Sequence, residues 1–227
     1  MRRFFLYVLV ALAFLLTVHE VRADVRLVGT VGSITIDDNA YVPKYTTATL
    51  NGTIIKGNVF VRRGARLIAN GARIIGNVQA YGSLLVDLRQ QNFVDGDVQG
   101  KYTRSIRVRG GTVVGGNVQL EEAAAPTDVD ALLVYLANVD GDVQAKKTAG
   151  RLRVIESEIG GNLQFEENYT GPYVIMDNSI DGDLQFFKNR GQGKIIRNHV
   201  RGNLQSKENR PRPIIRDNIV EGDLEIE

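Results

Sequence analysis

The chain has 227 residues, 28 Lys and Arg against 26 Asp and Glu, and no Cys or Trp. Without Cys it has no disulfide and no thiol nucleophile. The near-balance of charge gives no sign of the basic stripe of a nucleic-acid binder, so no nucleic-acid partner is expected.

Residues 1–23 read as a secretory leader. Arg2 and Arg3 precede an apolar run over 4–16 that is short for a membrane span. Val21-Arg22-Ala23 supplies small residues at the cleavage positions, so the cut is expected after Ala23 and the protein is expected to be secreted or periplasmic, with no membrane span left. Three of the 28 basic residues and one of the 26 acidic ones lie in this leader, so the remainder is neutral. Residues 24–56, with "GSITIDDNAYVP", have weak repeat character and are expected to form an N-terminal cap and the first coils.

From residue 55 one hexapeptide recurs: "IKGNVF", "IIGNVQ", "VDGDVQ", "VGGNVQ", "VDGDVQ", "IGGNLQ", "IDGDLQ", "VRGNLQ" and "VEGDLE". Its glycines fall at 57, 76, 96, 116, 141, 161, 182, 202 and 222, a period near 20 with one interval of 25. That period is too short for a helical pair. Short β-branched strands between Gly-, Asn- and Asp-rich turns suit a coil of a parallel β-helix. The expected fold is therefore all-β, a right-handed single-stranded parallel β-helix of about nine coils over 57–227.

The alternation after each glycine assigns the faces. Two positions on, Val59 through Leu224 are all aliphatic; four positions on, the residues are mostly apolar; both columns are expected inside. Gln79, Gln99, Gln119, Gln144, Gln164, Gln185 and Gln205 form an outward amide ladder. A second strand, such as "RLIAN" or "RLRVI", precedes the next hexapeptide. Turn columns of Asn follow, among them Asn178, Asn198 and Asn218, and Asn168, Asn189 and Asn209. Asn there is expected to take left-handed backbone and to tie successive coils together.

The residue after the glycine alternates from coil 77 onward: Asn77, Asp97, Asn117, Asp142, Asn162, Asp183, Asn203, Asp223. Stacked about 4.8 Å apart, carboxylates would repel, so Asn is expected to separate them and donate its amide to both neighbours. Lys101, Glu121, Lys146 and Glu166 alternate in the same way, which fixes register against a one-coil slip.

These repeats resemble a group of exported bacterial proteins built from "GNVQ" and "GNLQxxEN" units. The segments 39–82, "NAYVPKYTTATLNGTIIKGNVFVRRGARLIANGARIIGNVQAYG", and 180–213, "IDGDLQFFKNRGQGKIIRNHVRGNLQSKENRPRP", carry the likeness. It implies a right-handed parallel β-helix with no established enzymatic role. The array is more loosely similar to bactofilins, cytoskeletal β-helices that polymerise end to end, in architecture only.

Catalysis on a β-helix needs clustered carboxylates in one special place. The acid pairs Asp95 with Asp97, Asp140 with Asp142, Asp181 with Asp183, and Glu221 with Asp223 repeat regularly instead, which reads as solvated turn acids. Weak Ca²⁺ binding by these pairs is the lesser alternative, because calcium takes six to eight oxygens. No catalytic residue, resident metal or cofactor is expected. His199 stands beside Asn198 with no nucleophile in view.

Tyr102, Tyr135, Tyr169, Tyr173 and Phe187 look exposed and would suit either a sugar-stacking strip or packing at coil corners. The 25-residue interval contains an insertion, and insertions in solenoids tend to map to one binding face. Ala124, Ala125, Pro126, Thr127, Asp128, Val129 and Asp130, with Tyr135, are therefore the expected binding residues. The expected function is an exported structural or surface-interaction protein that meets cell-envelope polysaccharide or protein. The alternative is a carbohydrate-binding or carbohydrate-acting envelope protein. The ending "VEGDLEIE" crowds the last strand with acids, which oppose edge-to-edge stacking, so a monomer is expected.

Overall fold

The computed structural model describes residues 24–227; the leader reading falls on residues outside this range. Among the described residues there are only strands, turns and bends. They form three parallel sheets of 11, 10 and 10 strands, which run the length of the rod. The solenoid has about ten turns at the expected period.

One coil shows how the hexapeptide builds the fold. Val78–Tyr81 lies in sheet 1, Leu85–Arg89 in sheet 2 and Phe93–Val94 in sheet 3. The sequence reading found two strands per coil. The third was hidden because a two-residue strand shows no periodicity. "VDGDVQ" is thus a corner: its first Val ends sheet 3 and its second begins sheet 1. Glycine is needed at that corner by close approach. A Cβ on Gly182 would lie 2.7 Å from the carbonyl oxygen of Gly161 in the coil before.

The two inward columns are buried as the alternation requires, from Val59 and Val61 to Leu204 and Ser206. Leu224 and Ile226, in the last coil, are exposed. In the C-terminal half the core becomes aromatic. Tyr173 packs 5.7 Å from Phe186 and 6.4 Å from Phe165, centroid to centroid. Tyr173 is fully buried and its hydroxyl donates to the Arg190 carbonyl at 2.8 Å, so it is not part of any exposed strip.

The Asn columns also sit differently from the turn reading. Asn168, Asn178, Asn189 and Asn198 are buried, with their amides turned inward. The residue before each takes the left-handed backbone, as in Glu167 (φ 54°), Asp177 (59°), Lys188 (54°) and Arg197 (53°). The chain turns a corner of the coil there, and the Asn that follows closes it from inside. Asn189 Nδ2 donates to the Phe165 carbonyl at 2.8 Å, and Asn189 Oδ1 accepts from Asn168 Nδ2 at 2.8 Å. Buried polar groups persist where they are satisfied in this way.

On sheet 1 the Gln ladder is continuous from Gln99 to Gln205, each amide donating to the next coil at 2.9–3.2 Å. The alternating charge column forms ion pairs in one direction: Lys101 to Glu121 at 3.4 Å and Lys146 to Glu166 at 2.7 Å. At the left-handed corners Lys147–Glu167 and Lys188–Glu208 repeat the pattern at 3.8 and 3.9 Å.

Candidate functional site on the outer face of sheet 2

The insertion is only partly a bulge. Ala125 is buried, Val129 is partly buried, and Ala124 makes a bridge with Ala149. Pro126, Thr127 and Asp128 form an exposed tip, and Ala124 is exposed before it. Asp130 starts the strand Asp130–Tyr135 and Tyr135 ends it, so the tip and Tyr135 lie at opposite edges of sheet 2. The structure therefore does not bring all the expected binding residues together. It joins Asp130 and Tyr135 to neighbours that the sequence reading did not select.

Those neighbours are arginines. Asp130 is buried and accepts two bonds from Arg153, Nε at 2.8 Å and Nη2 at 2.6 Å, with Arg151 Nε at 3.1 Å. Asp87, also buried, accepts the same fork from Arg109, with both bonds at 2.9 Å. This pairing raises the Arg109 pKa above its ordinary value. The planar guanidinium matches a carboxylate bidentately, so each acid fixes the orientation of one arginine and uses only part of its five N–H donors.

The face is not charge-balanced. Arg66, Arg89, Arg107, Arg109, Arg151, Arg153 and Lys194 stand on it against Asp87 and Asp130. Among the described residues Arg66, Arg107 and Lys194 have no acidic partner, and Arg107 Nε is buried without a hydrogen bond. Overall neutrality hides a local surplus, because the acids are spent on the other faces.

One register column runs through this face. Arg107 pairs with Leu133, Leu133 with Arg153, Arg153 with Val174, and Val174 with Lys194. Cation and aliphatic side chain alternate coil by coil. The adjacent outward column holds Tyr135, Ile155 and Met176, and Leu136 is exposed at the corner.

The other candidate features are self-satisfied or stand apart. Asp95 pairs with Arg73 at 3.0 Å, Asp181 with Arg201 at 2.8 Å, and Glu221 with His199 at 2.8 Å. No three His, Cys, Asp or Glu residues among those described are grouped to hold a metal ion. On sheet 1 a groove runs past Phe60, Arg62, Tyr81 and Lys101, with Asp24 at its margin. Tyr102 meets Tyr81 edge-on at 5.4 Å beside it, while Tyr169 is exposed far along the rod. The chain matches no protein family, no curated protein and no solved structure.

Proposed function

We propose that this protein is an exported, non-catalytic interaction rod that meets a partner of the cell envelope through the outer face of sheet 2. The observation that carries the reading is the cationic surplus of that face, where Arg66, Arg107 and Lys194 have no acidic partner among the described residues. Arg and Tyr beside half-buried aliphatic groups are the composition that supplies binding energy at interfaces. The rigid ladder below holds them in fixed register. We further infer membership of the exported "GNVQ"-repeat group and removal of residues 1–23, on the motif and leader described above.

The test is co-sedimentation of the exported protein with envelope fractions of its native host. The wild type should pellet with the envelope and begin at Asp24 by N-terminal sequencing. The double substitution Arg107→Glu with Arg153→Glu should release it, and Lys146→Glu on sheet 1 should not. A wild type left entirely in the supernatant contradicts the interaction reading.

A further inference from the structure

We infer that the ligand of the sheet-2 face is a linear acidic polysaccharide with an anionic group on alternate sugars, laid along the rod axis. This rests on the interaction-rod reading and specifies its ligand.

The argument is one of spacing. Successive coils of a parallel sheet are about 4.8 Å apart, so alternate coils are about 10 Å apart. Arg107, Arg153 and Lys194 occupy alternate coils of one column, with Leu133 and Val174 between them. Asp87 precedes Arg107 in this column, and from Arg107 to Lys194 no acid interrupts it, unlike the Lys–Glu column of sheet 1. A ligand that answers it must carry negative charge at every second position and an apolar surface at the positions between. A polysaccharide that alternates an acidic sugar with a neutral one has that rhythm. Its carboxylates or sulfates meet guanidinium and ammonium groups, and the apolar faces of the neutral rings cover Leu133 and Val174. Tyr135, at the strand end beside the column, offers a ring with a polar tip for the chain margin.

Other polyanions match less well. An extended acidic peptide presents same-face side chains about 7 Å apart. Duplex DNA carries one charge per ~1.7 Å of axis, far denser than this column, and curves its phosphates around a groove. Among the described residues Arg107 has no ion pair, so its terminal guanidinium nitrogens are left for an external anion while its Nε is buried out of reach. Arg153 is already oriented by Asp130, with donors left over.

The experiment is calorimetric titration of the exported protein with hyaluronan oligosaccharides, which alternate a uronic acid with a neutral sugar. Neutral dextran, a short DNA duplex and anionic lipid vesicles serve as the other arms. Hyaluronan should bind with an affinity that falls as salt rises, and dextran should not bind. Arg107→Glu with Lys194→Glu should weaken binding at least tenfold, while Arg107→Lys should retain most of it. Arg107→Glu sets a carboxylate beside Asp87 of the coil before and costs stability, whereas Lys194 faces only Val174 and Ile214, so Lys194→Glu alone, weaker in binding with a thermal midpoint close to the wild type, separates lost binding from lost fold. Hyaluronan binding that is absent, or indifferent to Arg107 and Lys194, overturns the inference. Tighter binding of DNA or vesicles than of hyaluronan also overturns it. In each of these cases envelope co-sedimentation that still depends on Arg107 leaves the interaction rod standing with another ligand.

Discussion

Asp142 Oδ1 accepts the backbone N–H of Asn162 at 2.7 Å and the Asn162 side-chain amide at 3.2 Å. Asn162 Oδ1 in turn accepts only the backbone N–H of Asp183, at 2.8 Å. The alternating column is therefore directional: every side-chain oxygen caps the N–H one coil later, and the Asn amide reaches back to one acid, not to both. Asn162→Asp would place an oxygen where that amide donates, between two carboxylates. The expected loss is about 1 kcal/mol, larger at low salt because the groups are partly exposed. Urea denaturation at two ionic strengths checks it. A loss independent of salt would mean that the missing donor, not repulsion, is the cause.

The buried amides should matter more than the exposed ones. Asn198 Oδ1 accepts from the Asn178 backbone N–H at 3.1 Å and its amide at 2.9 Å, and Asn198 Nδ2 donates to the Ile175 carbonyl at 3.0 Å. Asn198→Ala strands these groups inside the rod. The expected cost is about 3 kcal/mol, against less than about 1 kcal/mol for Gln144→Ala on the outer ladder. Equal costs in thermal or urea melts would contradict the difference drawn between the two ladders.

Burial pushes the Tyr173 phenol well above its ordinary range. Its folded pKa then exceeds the unfolded value of about 10, so the stabilisation is full below pH 10 and is lost as pH rises toward the folded value. Tyr173→Phe should cost about 1 kcal/mol at pH 7 through the bond to the Arg190 carbonyl. The variant should also lose less stability than the wild type between about pH 9.5 and about pH 11, the range around and above the unfolded value. Parallel pH profiles would show that another group controls the alkaline limb.

The exposed tip and the arginine face make separable claims on binding. Replacing Pro126-Thr127-Asp128 by Gly-Ser-Gly should leave envelope co-sedimentation within about twofold, an effect below 0.5 kcal/mol. Arg107→Glu should abolish most of it. Loss of binding with the tip replaced and Arg107 intact would move the site to the insertion.

The inward columns were legible because Val59, Val78 and their successors follow a strict period of two. The sheet-1 ladders were legible for the same reason, since equivalent positions fall at fixed offsets from a shared glycine. Sheet 2 was not. Arg107 and Leu133 are 26 residues apart, Leu133 and Arg153 are 20 apart, and the insertion between them hides the alternation until the strands are paired. Tyr173 follows "GP" in a segment that reads as a surface turn, and its aromatic partners Phe165 and Phe186 lie in other coils. Many left-handed corners fall on Glu, Lys and Arg, which intrinsic preference does not select; the Asn beside them drew the assignment instead.

Hydroxyl-radical footprinting of the exported protein, free and bound to envelope material, tests the central claim most directly. Tyr135 and Met176 on sheet 2 should become protected, while Tyr81 and Tyr102 beside the sheet-1 groove should label as in the free protein. Protection of Tyr81 and Tyr102 with Tyr135 and Met176 unchanged would place the partner on sheet 1 and contradict the account.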